Sequence, residues 1–580
     1  MKIQSIFSAI LLLLPIQSLA ANGAMKGDGS TAKPFQIEDY EDLKAIGKGA
    51  YLYSSNYVLT KDIDASASKS EVCNEDGCNG FIPIGKNKDA VDSTVFWGTI
   101  DGQNHTISNL NIWLPCEEDV GFVYALIGSI KNLNFDHLNV TGRVDESNHV
   151  GGVVARLVGT IENVHVTNGF VQGQKRVGGI AGCAMRTIGY SDVTTVVKNV
   201  SFQGDIKATA RVGGIVGETD GATVDSAFAD VNIIVLESDA GGIVGRDDGI
   251  VRFSHSSGTI VPGADEVDEV GGVVGYSKST IDFCSSTMDL IHSGTFHFGE
   301  NIGGVVGDGN SVNMSFSLGA VEGSRYVGGV AGRGSVTMSY AMGSVQGSSY
   351  VGGVVGYGSV NYSYAANVVR GDSLVGGLVG NASKDVLGSY WNTEISGLDT
   401  SAGGTGLTTA KMMKFSSFAG WDTLGFDEYV VDGTDTCDYY EEYHACYSLS
   451  GNFIHYWDID EGSSFPYLKN HPFAQKTSVP IAVPTSAPAW QETPVVASLM
   501  DVGGTLVGKW LGWVQPNKLG DPLERDSLYY GYRIGVVVDK DTVWERLAIW
   551  LFPTRSRFRR SQNFRKSETI SLTRSSPITN

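Results

Sequence analysis

"SSYVGGVVGYGSVNYSYAANVVRGDSLVGGLVG", residues 348–380, says one phrase twice: Val351-Gly-Gly-Val-Val-Gly356 returns as Val375-Gly-Gly-Leu-Val-Gly380, 24 residues on. The same phrase starts at Val150, Val177, Val212, Ala240, Val270, Ile302 and Val327, and a degenerate copy, "VGFVYA", starts at Val120. Self-similarity at a period of 24 to 35 residues means stacked units, none able to bury its apolar face alone. Within the 24-residue unit the runs "YVGGVVG", "SVNYSYA" and "NVVRG" are too short and too rich in Gly and Val for helices, and read as three short strands. Three strands per unit fit one turn of a parallel β-helix, with layers ~4.8 Å apart, so that ten coils make a rod ~50 Å long. Parallel crossovers are nearly always right-handed. The expected fold is therefore all-β: a right-handed parallel β-helix, or β-solenoid, of about ten coils over residues 120–390, with N- and C-terminal caps.

The columns of this array separate core from surface. The residue before each phrase is His149, Arg176, Arg211, Asp239, Glu269, Asn301, Tyr326, Tyr350 and Leu374 in turn, a variety that reads as solvent-facing. The first and fourth places of the phrase are always Val, Ile, Ala or Leu. Strict alternation would put those two on opposite faces; either the Gly-Gly pair bends the strand through its freedom in φ, or another segment covers the outer face. Phe316, Tyr340, Tyr364 and Tyr390, each preceded by a serine (Ser315, Ser339, Ser363, Ser389), form an aromatic ladder, a stabilising device between coils. Asn132, Asn163 and Asn199 form a second ladder, bonding along the stack.

Glycine supplies 75 of 580 residues and the formal charge is −21. Residues 551–580 carry seven Lys/Arg against one Glu, leaving about −27 on the rest, which disfavours nucleic acid and anionic membranes as partners. The first 20 residues hold Lys2, the apolar run "IFSAILLLLP" and "QSLA", the pattern of a secretory signal; its run is too short for a spanning helix, and no integral membrane segment is expected after its removal. In an exported chain, cysteines pair: Cys73 with Cys78 and Cys437 with Cys446 are the simplest local disulfides, while Cys116, Cys183 and Cys284 stand apart. No Cys-x-x-Cys or Cys/His cluster points to a metal, and no cofactor is expected.

Residues 21–119 read as an N-terminal cap and first coils, with Phe35, Leu43 and Ile46 on a short helix-like stretch. Residues 391–470, rich in Trp and Tyr, read as a C-terminal cap. Residues 471–496, with five prolines, read as an extended linker, residues 497–550 as a small β module, and residues 551–580 as a basic, disordered tail.

"VGGLVG", with "SVTMSYAMGSVQGSSYVGG" before its neighbour, resembles the GLUG-motif repeats of bacterial exported and surface proteins. "GDGSTAKPFQIEDYEDLKAIG", "YVLTKDIDAS", "FIPIG" and "FWGTIDGQNHTISNLNI" look like the segment that precedes such repeats; "SYWNTEISG" and "WDIDEGSSFPYL" look like their close. The resemblance covers roughly residues 27–468 and implies a secreted or cell-surface β-solenoid of adhesin-like type, with no implied reaction. Some proteins of similar kind cleave immunoglobulin A with a zinc peptidase domain, which needs His-Glu-x-x-His; the ten histidines contain no such pair, and His292 and His297 are five apart.

The best enzymatic candidate is a column of turns after the phrase, read as Asp220, Asp248, Lys278 and Asp308; paired carboxylates can act as acid and base. Three of its members are Asp-Gly, ordinary turn chemistry. The reading is accordingly a non-enzymatic, exported binding protein for a host or matrix protein or glycan. The alternatives are a polysaccharide lyase or hydrolase on the same fold, or a structural spacer presenting the C-terminal segment. Tyr326, Tyr350 and Leu374, one coil apart in the variable column, are the expected binding residues, since Tyr joins an apolar ring to a polar tip.

Overall fold

The computed structural model describes residues 25–72, 79–85, 95–115, 117–143, 149–186, 194–294, 296–427, 453–469 and 471–473, and the strands Thr493–Met500, Leu506–Pro516 and Tyr532–Ile534. The chain divides into two compact units, residues 1–479 and 480–580. In the second unit the three strands form an antiparallel sheet. Cys73, Cys78, Cys116, Cys437 and Cys446 lie outside the described residues, as do the signal segment and the basic tail.

The first unit is a parallel β-solenoid of about ten turns. Parallel stacking begins at Phe35–Ile37, which pairs with Tyr57–Leu59, and runs coil on coil to Tyr390–Asn392, which pairs with Thr405–Leu407. Every repeated phrase is in register with the next: Val327 pairs with Val351, and Val351 with Val375. Among the described residues no helix is long and apolar enough to cross a membrane.

Near the start a single turn of helix, Tyr40–Ala45, is capped by Asp39, whose carboxylate accepts the Asp42 N–H at 3.0 Å. That is the common reason for a helix to begin at Asp. Leu43 lies on this helix, but Phe35 belongs to the strand before it and Ile46 to the cap after it.

The expected three strands per coil are four. In the coil from Ser349 they are Ser349–Gly352, Val355–Asn361, Tyr364–Ala365 and Val369–Arg370. "YVGGVVG" is broken at its bend, and "SVNYSYA" is broken at Tyr362, which has φ +48°.

The bend answers the alternation problem differently from expectation. Val327 and Val330 are both fully buried, yet neither Gly328 nor Gly329 has a positive φ; the left-handed residue is the one before the phrase, Tyr326 at φ +55°. The glycines are needed for space. A Cβ on Gly328 would lie 2.0 Å from the Ala331 carbonyl oxygen, and one on Gly329 2.2 Å from that of Gly353.

Two apolar cores result. One fills the lumen with Val, Ile and Ala from every coil. The other lies outside it: Phe316, Tyr340, Tyr364 and Tyr390 point away from the lumen, while Ala341 and Ala365 beside them point in. The ladder stacks at 4.8 Å (Phe316–Tyr340, 9°) and 5.2 Å (Tyr340–Tyr364, 3°). It is covered by Leu407, Met412, Phe418, Trp421, Trp457, Phe465 and Leu468. The C-terminal segment thus covers more than the end of the stack; after Thr405–Leu407 it folds back along the flank as a strap.

The serine ladder ties the coils. The backbone N–H groups of Ser315, Ser339 and Ser363 donate to the hydroxyls of Ser339, Ser363 and Ser389 at 3.0–3.2 Å. Cys284 takes the serine place one coil before Ser315, its thiol donating to the Asp282 carbonyl at 3.2 Å. It and Cys183 are free and buried. The asparagine ladder bonds as expected, Asn163 to Asn132 at 2.9 Å and Asn199 to Asn163 at 3.1 Å. All three are left-handed, a conformation Asn tolerates.

Candidate binding face

Each phrase from Val177 to Val375 is preceded by a left-handed residue, with φ between +52° and +62°. The bend then brings that residue opposite the one seven places later. Arg211 meets Glu218 at 3.0 Å, Asp239 meets Arg246 at 3.2 Å, and Tyr326 lies under Arg333 at 5.3 Å from its ring. The later residues form their own column in register: Glu218, Arg246, Tyr276, Asp308, Arg333, Tyr357 and Asn381. The variable column is therefore one side of a paired, mostly half-buried seam along the rod, not a row of free solvated side chains.

At its early end Asp119, 3% exposed, is held by His149 Nδ1 at 2.6 Å and Arg156 at 2.6 Å. Burial alone would raise this carboxyl; the His149 hydrogen bond and the charges of His149 and Arg156 outweigh it and hold it below the usual range. Next come Arg176 and Arg211, both on Glu218.

The middle of the seam holds a like-charge pair. Asp239 is 3% exposed and its Oδ1 has no charged or neutral donor. Glu269, one coil on, faces it. Burial, the hydrogen bond to Asp239 and the charges of Asp239 and Asp308 push the Glu269 carboxyl up to about 8, against the opposing charge of Arg246. A proton on Glu269 supplies a donor for the hydrogen bond between the two carboxyls. Folded protein thus keeps a proton that an unfolded Glu gives up near pH 4.5, so this group's contribution to stability is fully present below that value and is lost as pH rises toward 8. Melting temperatures from pH 5 to pH 9 check this: Glu269→Gln, which keeps an N–H for Asp239, is expected to flatten the decline, and an unchanged decline would refute the shared proton.

The late end is aromatic and cationic. Tyr326 and Tyr350 lie 4.7 Å apart, with Tyr357 at 5.9 and 6.4 Å from them. The Arg325 guanidinium sits 4.4 Å from the Tyr326 ring and 5.3 Å from the Tyr350 ring, and Arg333 lies 5.7 Å from the Tyr357 ring. Arg325 also reaches Glu300 at 3.1 Å, and Arg333 reaches Asp308 at 3.5 Å. Both tyrosines are half-buried and Leu374, next along, is 47% exposed. The structure thus brings the three sequence-selected residues onto one strip. It adds Tyr357 and Arg333, which column reading missed because the pairing spans seven residues across a bend, and Arg325, the chain neighbour of Tyr326.

The turn column differs from its sequence reading. Asp220, Asp248 and Lys278 follow their phrases as expected, with Asp248 3.5 Å from Lys278 and Asp220 3.7 Å from Arg186. Asp308 does not join them: six places after the start of its phrase, not eight, it pairs with Tyr276, and Asn310 takes the place beside Lys278, whose carbonyl accepts from the Asn310 amide. His292 and His297 do meet, edge to face at 4.8 Å, with His292 Nδ1 3.6 Å from Glu322. Among the described residues no three His, Cys, Asp or Glu side chains are placed to hold a metal ion.

A stretch of 220 residues is 32% identical to Halomucin of Haloquadratum walsbyi; it takes in 34% of this chain and 2% of Halomucin, so the chain spans a very small part of that protein. The crystal structure of a "putative immunoglobulin A1 protease" from Bacteroides ovatus superimposes with a TM-score of 0.36 at 18% identity, over 46% of this chain and 79% of that one. No family model matches the chain.

Proposed function

We propose that this chain is a bacterial exported or cell-surface protein of the GLUG-repeat kind. On this reading it is a non-catalytic, adhesin-like β-solenoid that holds a host or matrix protein or glycan against the late end of its seam. The observation that carries the reading is the strip of Tyr326, Tyr350 and Tyr357 beside Arg325, Arg333 and the exposed Leu374. Aromatic and arginine side chains dominate binding hot spots, and a rigid stack presents them with little ordering cost on binding. The signal pattern of residues 1–20 supports export.

The test is a screen of purified protein on glycan arrays and matrix proteins, repeated with Tyr326→Ala combined with Tyr350→Ala. Loss of two aromatic anchors is expected to weaken binding at least about tenfold. Both rings lie outside the lumen, so the double variant is expected to fold. Unchanged binding by the folded variant would move the face elsewhere. Depolymerisation of an acidic glycan that Asp248→Asn abolishes would overturn the non-catalytic reading.

A further inference from the structure

The strap runs backwards over the ladder. Trp421 stacks on Trp457 at 4.5 Å and lies 5.9 Å from Tyr390; Trp457 lies 5.8 Å from Tyr364 and 6.1 Å from Tyr340. His471 then lies 4.9 Å from Phe316 and 6.2 Å from Phe283, and Phe473 lies 5.1 Å from His255. Between Tyr390 and His255 the strap has therefore crossed back over the coils of Tyr364, Tyr340, Phe316 and Phe283.

Its far end depends on an imidazole in one protonation state. His471 is 6% exposed, and its Nδ1 accepts the Phe473 N–H at 3.2 Å. An Nδ1 that accepts carries no proton, so in the neutral ring the proton sits on Nε2, which is buried without a partner. A second proton would have to go on Nδ1. It would replace the hydrogen bond by two opposed donors and place a charge among Phe283, Phe316 and Phe473.

We propose that His471 makes the strap an acid-released clamp: a proton taken from solvent onto Nδ1 breaks the Phe473 hydrogen bond and lifts the strap's far end off the ladder. The consequence is chemical as well as mechanical. Lifting uncovers Phe283, Phe316 and then Tyr340, turning a buried aromatic column on the rod's flank into an exposed apolar one. This device is separate from the Tyr326 strip, and neither depends on the other.

Burial, with a smaller contribution from the charge of His255, pushes the His471 imidazole down from 6.5 to about 4, against a smaller upward pull from the backbone of Cys284 and Met314. The undocked ring therefore binds a proton that the docked ring refuses. Docking has its full strength above pH 6.5 and loses it as pH falls toward 4, by about 25-fold at pH 5. Of the titratable groups around it, His255 is itself pushed down by burial and acts in the same direction. The Cys284 thiol is raised and stays protonated throughout, and Lys469 on the strap is exposed.

The experiment is hydrogen exchange read by mass spectrometry on the full chain at pH 7.5 and pH 5, corrected for intrinsic exchange. Protection of strap amides over residues 456–469 is expected to fall at least tenfold at pH 5, while residues 196–241 keep theirs. His471→Gln, which cannot take up the proton, is expected to remove most of that fall; His255→Gln is expected to remove less. A fall of the same size in His471→Gln, or none in the wild type, overturns the clamp. Should His471→Gln leave the strap undocked at pH 7.5, the C2–H exchange of His471 in the wild type decides: a midpoint below pH 5.5 supports the clamp and one at or above it refutes it.

Discussion

Gly356→Ala is expected to break the solenoid near its late end. In the phrases from Val177 onward the third glycine rests directly on the backbone of the preceding coil, while the first copy carries Ala155 in that place. A Cβ on Gly356 would lie 2.6 Å from the Val327 nitrogen and 2.7 Å from both the Gly332 carbonyl oxygen and the Tyr326 carbonyl carbon. All three atoms are backbone, fixed by register on both sides, so the contact cannot be relieved by turning a side chain. Overpacking of well-filled sites costs about 1–3 kcal/mol, and a clash against two strands at once belongs at or beyond the upper end of that range.

Because each coil touches only its neighbours, the cost falls on the interface between the coils of Val327 and Val351. The expected result is a lower first unfolding transition, with hydrogen-exchange protection lost first on either side of residue 356. Gly309→Ala is the matched control, since the nearest neighbours of its Cβ would be side-chain atoms, the Val306 methyl groups at 2.9 and 3.2 Å. Equal losses for the two would refute the close-approach account.

The rod was legible because its lumen admits few answers. Positions such as Val327, Val351 and Val375 stack one above another with nothing between them, so every copy is small or branched and apolar, and the copies can be counted. The seam was not legible for the opposite reason. Left-handed residues announce themselves when they are Asn, as at Asn132 and Asn163; Arg211, Asp239 and Tyr326 carry no such mark, and without the bend their partners seven places on cannot be found. Asp308 was misplaced although counting from the phrase suffices: it stands six places after Ile302, as Tyr276 stands after Val270, whereas Asp220, Asp248 and Lys278 stand eight places on. The tyrosine ladder declared its stacking but not its cover, since Trp457 and Phe465 reach it from about a hundred residues away in sequence.

That cover gives the second large effect. Tyr364 is fully buried between Tyr340, Trp421, Trp457 and Phe465, and its hydroxyl donates to the Pro466 carbonyl at 2.6 Å. Burial pushes its phenol well above the ordinary range, so the hydroxyl is a donor at neutral pH. Tyr364→Ala removes the ring from the centre of the flank core, a change that costs about 3–5 kcal/mol at buried aromatic sites. Tyr364→Phe removes only the donor and leaves the Pro466 oxygen unpaired, for about 1–3 kcal/mol. What distinguishes this site is where the loss appears. The lumen core and the flank core are separate clusters, and Ala365, beside Tyr364, keeps its lumen contacts in either variant. The alanine variant is expected to lose near-ultraviolet circular dichroism from Trp421 and Trp457 and to become open to proteolysis between residues 408 and 473, while its far-ultraviolet β signal and the protection of residues 196–241 persist. Strap and rod melting together, at the wild-type temperature or below it, would mean that the two cores are one cooperative unit.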